Sequence, residues 1–196
     1  MKSIILASAS ERRSRILIEC GIKHEVRVSN ADENAGGDKS VYNIVVENAS
    51  KKADVIVKDC KKSIVIGADT MVLHGETIIG KPADENEARG MLKEFSGTGI
   101  EVYTGLCVVD ADGKRKVCGY DKSSLVVAAL SEKDVDKYFK LLGPYDKAGG
   151  FSIEGVGSLI FDNIRGSYFN ILGLPMMKLA ELFHELGEDI AGYIQK

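Results

Sequence analysis

The chain has 196 residues, of which 44% are apolar and 28% charged, and a formal net charge of −3. That balance excludes a disordered polymer, suits one domain with one core over residues 1–196, and gives no reason to expect nucleic-acid binding. The longest apolar runs, at residues 64–66 and 125–130, fall far short of the ~20 residues of a membrane helix, so no membrane span or membrane partner is expected.

Residues 2–7 are β-branched and apolar and predict a first strand, which stops at Ser8-Ala9-Ser10. Two hydroxyl residues there precede Glu11, and Ile16, Leu17 and Cys20 recur at helical spacing up to Gly21, so the opening reads strand, turn, helix. The charged trio Glu11, Arg12 and Arg13 also breaks the apolar start before it reaches the length of a secretory signal. Residues 24–28 suit a second strand and residues 30–40 a polar loop. Val41, Ile44, Val45, Ala49, Ala53 and Ile56 then step by three and four, predicting an amphipathic helix to about Lys58.

A buried strand over residues 63–67 is expected to deliver Ala68-Asp69-Thr70 at its carboxyl end. A hairpin at residues 72–79 follows, then the loop Gly80-Lys81-Pro82 and a helix capped by Asp84 with Glu87 three residues on, ending at Ser96-Gly97. Residues 101–109 and 114–130 read as two strands joined by the turn Asp110-Ala111-Asp112-Gly113. Ser131 and Asp134 open another helix, which Gly143-Pro144 should end. Short strands near Phe151 and Leu159 and a last helix over residues 176–186 complete the chain. Strands that alternate with helices yet also form hairpins imply a mixed sheet in an α/β layered domain, with two lobes around a cleft.

Cys20, Cys60, Cys107 and Cys118 show no C-x-x-C spacing, and His24, His74 and His184 are isolated. This argues against a zinc centre and for reduced cysteines packed as small hydrophobes in a cytoplasmic protein.

Ligands of α/β sheets gather at the carboxyl ends of strands. Ser8, Ser10, Arg12 and Arg13 would place hydroxyls, backbone N–H groups and guanidinium forks at one helix start, an arrangement suited to phosphate. Asp69, between small residues, could hold a divalent cation or activate water, and Glu33 could share that metal. Lys52 and Lys81 would be point charges for phosphate. Each segment also has an ordinary reading, as a capped helix, a turn aspartate or solvated lysines. Local pattern does not choose between them; the functional case needs the combination.

The combination is present. The segments Leu6-Ala7-Ser8-Ala9-Ser10-Glu11-Arg12-Arg13, Asp32-Glu33, Ala49-Ser50-Lys51-Lys52-Ala53, Gly67-Ala68-Asp69-Thr70, Gly80-Lys81-Pro82, Ser96-Gly97, Tyr103-Thr104-Gly105, Asp146-Lys147-Ala148-Gly149-Gly150 and Gly166-Ser167-Tyr168 with Gly173-Leu174-Pro175 occur in one order. Taken together they resemble the Maf family of nucleotide pyrophosphatases over nearly the whole chain.

The resemblance implies the elongated mixed sheet of inosine-triphosphate pyrophosphatases, a cleft between lobes, and usually a homodimer. It implies hydrolysis of a nucleoside triphosphate between the α and β phosphates with Mg²⁺ or Mn²⁺, and Asp69 as proton acceptor. Glu33 and Asp69 match the family's acidic positions; Arg13, Lys52 and Lys81 match its phosphate contacts; Arg12, Thr70 and Glu154 match its base-selecting positions.

Three departures bear on the substrate. Glu11 replaces the family's usual proline and brings negative charge to the supposed cradle. The histidine often found after Ser-Gly is absent, its place falling near Ile100. Arg12 and Thr70 match the branch acting on dTTP and UTP, whereas Glu154, beside Gly155, resembles the branch acting on 7-methyl-GTP. A carboxylate in place of an amide loses two N–H donors and gains a charge, which changes the base edge accepted. Both substrates are carried forward, together with a non-catalytic nucleotide-binding regulator of cell division. A nucleotidyltransferase is disfavoured because neither G-x-G-x-x-G nor the P-loop pattern occurs.

Overall fold

Ile4, Ile5, Leu6 and Ala7 are all buried, and they make β1 (Ser3–Ala7) an interior strand. Both its edges are paired in parallel, with β2 (His24–Val26) on one side and β3 (Ser63–His74) on the other. A continuous apolar run is what a strand covered on both faces requires. The computed structural model describes residues 2–34, 39–113, 115–142, 145 and 149–195. Gly143-Pro144, part of the motif at Asp146, Lys147 and Ala148, the strand start at Lys114 and part of the loop after β2 lie outside the described residues.

The remaining strands are β4 (Thr77–Ile79), β5 (Gly99–Asp110), β6 (Arg115–Val127) and β7 (Phe161–Arg165). They complete a seven-stranded mixed sheet of order β2-β1-β3-β5-β6-β7, with β4 antiparallel on β3. The helices are α1 (Glu11–Glu19), α2 (Val41–Val57), α3 (Glu85–Phe95), α4 (Glu132–Leu142), α5 (Tyr168–Ile171) and α6 (Met176–Leu186). None among the described residues is long and apolar enough to cross a membrane.

The chain forms two compact units, the first from Met1–Thr70, Thr104–Asp121 and Phe169–Lys196, the second from Met71–Tyr103 and Lys122–Tyr168. The first is built around Ile5 and Ala7 of β1, Ala49 and Ala53 of α2, Val65 of β3, and Cys107 and Val109 of β5. The second packs Leu92 of α3 against Val135 and Leu142 of α4 and against Ile160. Its helices start on side-chain caps. Asp84 accepts from the Glu87 N–H, and Ser131 and Asp134 exchange bonds in a closed box, as their spacing predicts.

Three expectations change. β3 does not stop at Gly67 but runs on to His74, because residues 72–74 find an antiparallel partner in β4. Asp69 and Thr70 therefore lie inside the strand, two and three residues past the Ala7↔Gly67 pair that ends its parallel ladder with β1. The strands expected near Phe151 and Leu159 are replaced by a 3₁₀ turn (Gly155–Ile160) and then β7. Here the chain folds back on itself within five residues, and an added Cβ at Gly157 would lie 1.6 Å from the Ser152 carbonyl oxygen. Finally, Cys107 on β5 and Cys118 on β6 form a disulfide, leaving Cys20 and Cys60 as free thiols. Their cross-strand proximity is set by the hairpin and is invisible in the sequence spacing.

Candidate active site

Two glycines bring helix α2 down onto the strands of the first unit. A Cβ at Gly67 of β3 would meet the Ala49 carbonyl oxygen at 2.1 Å, and one at Gly105 of β5 would meet that of Val45 at 2.2 Å. Only residues without a side chain admit the helix backbone so near. Asn48 and Lys52 are one helical turn apart and lie on the face that descends.

Both reach Asp69. Lys52 Nζ lies 2.8 Å from Asp69 Oδ1, and Asn48 Nδ2 donates to Oδ2 at 2.9 Å. The Lys52 ammonium also meets Glu33 Oε2 at 2.9 Å, so one cation joins two carboxylates carried by different segments. The Lys52 and Asp69 side chains are only 10% and 9% exposed, whereas Glu33 is 51% exposed at the mouth of the cluster. Burial on its own would push the Asp69 carboxyl up; the Lys52 ammonium, the Asn48 amide and the Arg13 guanidinium outweigh it and hold Asp69 below the ordinary carboxylate value. Asp69 is thus an anion at neutral pH. Each of its oxygens accepts one bond and keeps capacity for another.

Arg13 is buried behind this group and is largely occupied. Its Nε donates to the Gly173 carbonyl at 2.8 Å, Nη1 to Ser8 Oγ at 2.9 Å and to the Ala68 carbonyl at 3.0 Å, and Nη2 to Thr70 Oγ1 at 2.9 Å. Loss of water pulls its pKa down to about 10, opposed by the Asp69 charge, and it stays cationic at neutral pH. Thr70 passes the network on to Thr104 Oγ1 at 3.0 Å, whose hydroxyl donates to the Asn170 carbonyl at 3.0 Å. Of the expected residues, Ser8, Arg13, Glu33, Lys52, Asp69 and Thr70 therefore form one connected cluster in the first unit, Arg13 and Lys52 both donating to the Ala68 carbonyl.

The others stand as follows. Ser10 is the N-cap residue of α1 but its hydroxyl makes no cap bond; instead the Ser10 N–H donates to Ser8 Oγ at 3.2 Å. Arg12 is half-buried, and Glu11 is exposed in the first turn of α1. Lys81 is exposed after β4 in the second unit. Glu154, also in the second unit, is half-buried where the 3₁₀ turn begins, with Ser152 Oγ donating to its Oε2 at 3.1 Å.

Asn48 and Thr104 are both completely buried; Asn48 carries no expectation from the sequence, and Thr104 only as part of the motif Tyr103-Thr104-Gly105. A signal for Asn48 was available, since it and Lys52 interrupt the apolar face marked by Val45, Ala49 and Ala53. Two polar residues on a core-facing stripe demand partners inside the protein.

A divalent cation fits the donors present. Among the described residues no three His, Cys, Asp or Glu side chains group as a metal cage. Glu33 and Asp69 nonetheless converge on one positive atom, Lys52 Nζ, which marks the spot as attractive to cations. Two hard carboxylates completed by phosphate oxygens and water suit Mg²⁺ or Mn²⁺.

Comparison with known proteins gives the chain's family and relatives. The model of the family described as Maf-like protein matches residues 3–186. A protein of Caldicellulosiruptor bescii named dTTP/UTP pyrophosphatase is 39% identical over 97% of this chain and 98% of its own length. Proteins of the same name from Desulforamulus reducens and Bacillus cereus are 38% and 37% identical, each over 97% of this chain and over 100% and 93% of their own lengths.

Proposed function

The chain belongs to the Maf-like protein family, and from that premise we propose that it hydrolyses a nucleoside triphosphate to the monophosphate and pyrophosphate, with dTTP or UTP as substrate. The observation that carries this reading is the buried Asp69 anion held by Lys52 and Asn48, with Glu33 reaching the same ammonium. Such a group serves phosphoryl chemistry, which needs positioned charge more than covalent participation.

In this mechanism Asp69 accepts the proton of the attacking water. Lys52 keeps Asp69 ionised in the free protein and turns toward phosphate oxygens when the triphosphate enters. Glu33 and Asp69 would hold Mg²⁺ or Mn²⁺, which supplies neutralisation of phosphate charge and a more acidic water. Arg13, with four of its five N–H groups committed, contributes its charge and shapes the site, leaving one N–H for the substrate. Ser8, Ser10, Arg12 and Lys81 bind the triphosphate, and Arg12, Thr70 and Glu154 select the base. The protein acts in the cytoplasm as a homodimer, which sedimentation of the purified chain checks.

The Glu154 carboxylate favours a second substrate, 7-methyl-GTP, whose methylated base is cationic and attracts an anion. Pyrophosphate release across a panel of canonical and modified triphosphates, with Mg²⁺ or Mn²⁺, decides between them. Binding of every nucleotide with turnover of none would refute the enzyme and support a nucleotide-sensing regulator.

A further inference from the structure

We propose that Asn48 is a positioning residue for this reaction, holding both catalytic-site carboxylates at once; the inference rests on the pyrophosphatase reading above. Asn48 is completely buried within α2. Its Oδ1 accepts from the Asn34 N–H at 2.7 Å, and its Nδ2 donates to the Asn34 carbonyl at 2.9 Å and to Asp69 Oδ2 at 2.9 Å. The amide is oriented without ambiguity, because a backbone N–H can face only Oδ1, so the NH₂ group must face the carboxylate.

Two consequences follow from those three bonds. Asp69 is pinned at both oxygens, Oδ1 by Lys52 and Oδ2 by Asn48, which fixes the rotation of its carboxylate plane. The main chain of Asn34 is clamped on both its N–H and its C=O, which holds the adjacent Glu33 where its carboxylate meets Lys52. Glu33 itself is half-exposed and has little packing to place it, so its position depends on its backbone. An apolar side chain of the same size would leave the Asn34 clamp and Asp69 Oδ2 without this amide. Only a group that both donates and accepts serves both ends.

Outer residues that orient ligating groups typically change metal affinity or turnover ~10- to 100-fold when removed. The test compares wild type with Asn48→Ala, which removes all three bonds, and with Asn48→Asp, which keeps the shape and the acceptor for the Asn34 N–H but loses the donors to Asp69 and to the Asn34 carbonyl. We measure kcat and KM for pyrophosphate release, Mn²⁺ binding without nucleotide by titration of its electron-spin resonance, and exchange of the Asn34 amide proton. All values are normalised to the folded fraction seen by circular dichroism.

For Asn48→Ala the expected result is a kcat lowered ~10-fold or more and Mn²⁺ binding weakened to a similar degree, with KM for the triphosphate little changed and Asn34 exchange accelerated. For Asn48→Asp, kcat falls while Asn34 stays protected. If Asn48→Ala does not fold, the Asn48→Asp values decide alone. Folded variants with wild-type kcat and Mn²⁺ binding would overturn the inference and reduce Asn48 to a packing residue. A wild type that releases pyrophosphate from no triphosphate is a different failure, that of the proposed function, and takes this inference with it.

Discussion

Replacing Gly67 with alanine tests the close approach that assembles the site. The added Cβ would lie 2.1 Å from the Ala49 carbonyl oxygen and 3.1 Å from the Ala53 Cβ. Carbon and oxygen pack no closer than about 3.3 Å, so α2 and β3 must part by about 1 Å. Overfilling a packed interior costs about 1–3 kcal/mol. Both partners here are backbone in a helix and an interior strand, so relief needs a shift of whole elements and the upper end, about 3 kcal/mol, applies. Alanine recovers about 0.4–1 kcal/mol by restricting the unfolded chain. The net loss of about 2 kcal/mol lowers Tm by about 4–8 °C in a chain of this size. Gly90, in the middle of α3 with nothing within 4 Å of an added Cβ, is the control, and its alanine variant should melt slightly higher than wild type. Thermal unfolding followed by circular dichroism reads both. A Gly67→Ala protein that melts as high as wild type would refute the packing argument.

Further outcomes can be checked with the same protein. Asp69→Asn keeps an acceptor for Lys52 and should fold, while pyrophosphate release falls ~100-fold or more; wild-type turnover would remove Asp69 from the mechanism. Lys52→Met leaves the Asp69 anion buried without its ammonium, a change that typically costs about 3–5 kcal/mol, read as a lowered urea midpoint with unchanged slope. Lys2 Nζ bridges Asp110 Oδ2 and Glu188 Oε1, each at 2.8 Å. Burial opposes ionisation of Asp110, but Lys2 and the Asp112 and Gly113 N–H groups prevail; Lys2 and the Tyr193 hydroxyl do the same for Glu188, so both carboxyls titrate below their ordinary values. Their stabilisation is complete above the unfolded carboxyl pKa of ~4 and is lost as the pH falls through the lower folded values. Tm should therefore drop on acidification below pH ~4, less steeply in Lys2→Met, and parallel curves for the two proteins would exclude the bridge from acid stability.

Local signals made much of this legible. The apolar run of β1, the three-and-four spacing of α2 and the capping residues at Asp84 and Ser131 each depend on neighbours within a few positions, and each appears where the sequence puts it. What escaped was decided by partners far along the chain. β3 has the distant β5 as its hydrogen-bonded neighbour and continues through the polar pair Asp69 and Thr70, whereas apolarity by itself ends the strand at Gly67. Cys107 and Cys118 become neighbours only across a hairpin. Within the site, Asp69, Lys52 and Glu33 were identified by type, but their contact through one ammonium is a tertiary fact. Arg13 reads as a phosphate fork, yet most of its donors face protein carbonyls and hydroxyls supplied by Ser8, Ala68, Thr70 and Gly173.

That guanidinium also ties helix α1 to a residue made much later. Its bond to Gly173 spans 160 positions, and the Gln195 N–H closes on the Gly21 carbonyl still later in the chain. Contacts of such separation form slowly, because distant segments must meet before any reward is gained. Until residue 173 has been made and has left the ribosome, Arg13 lacks its Gly173 acceptor. A nascent chain shorter than that carries Asp69, Lys52 and Glu33 without the support that Gly173 gives to Arg13 beside them.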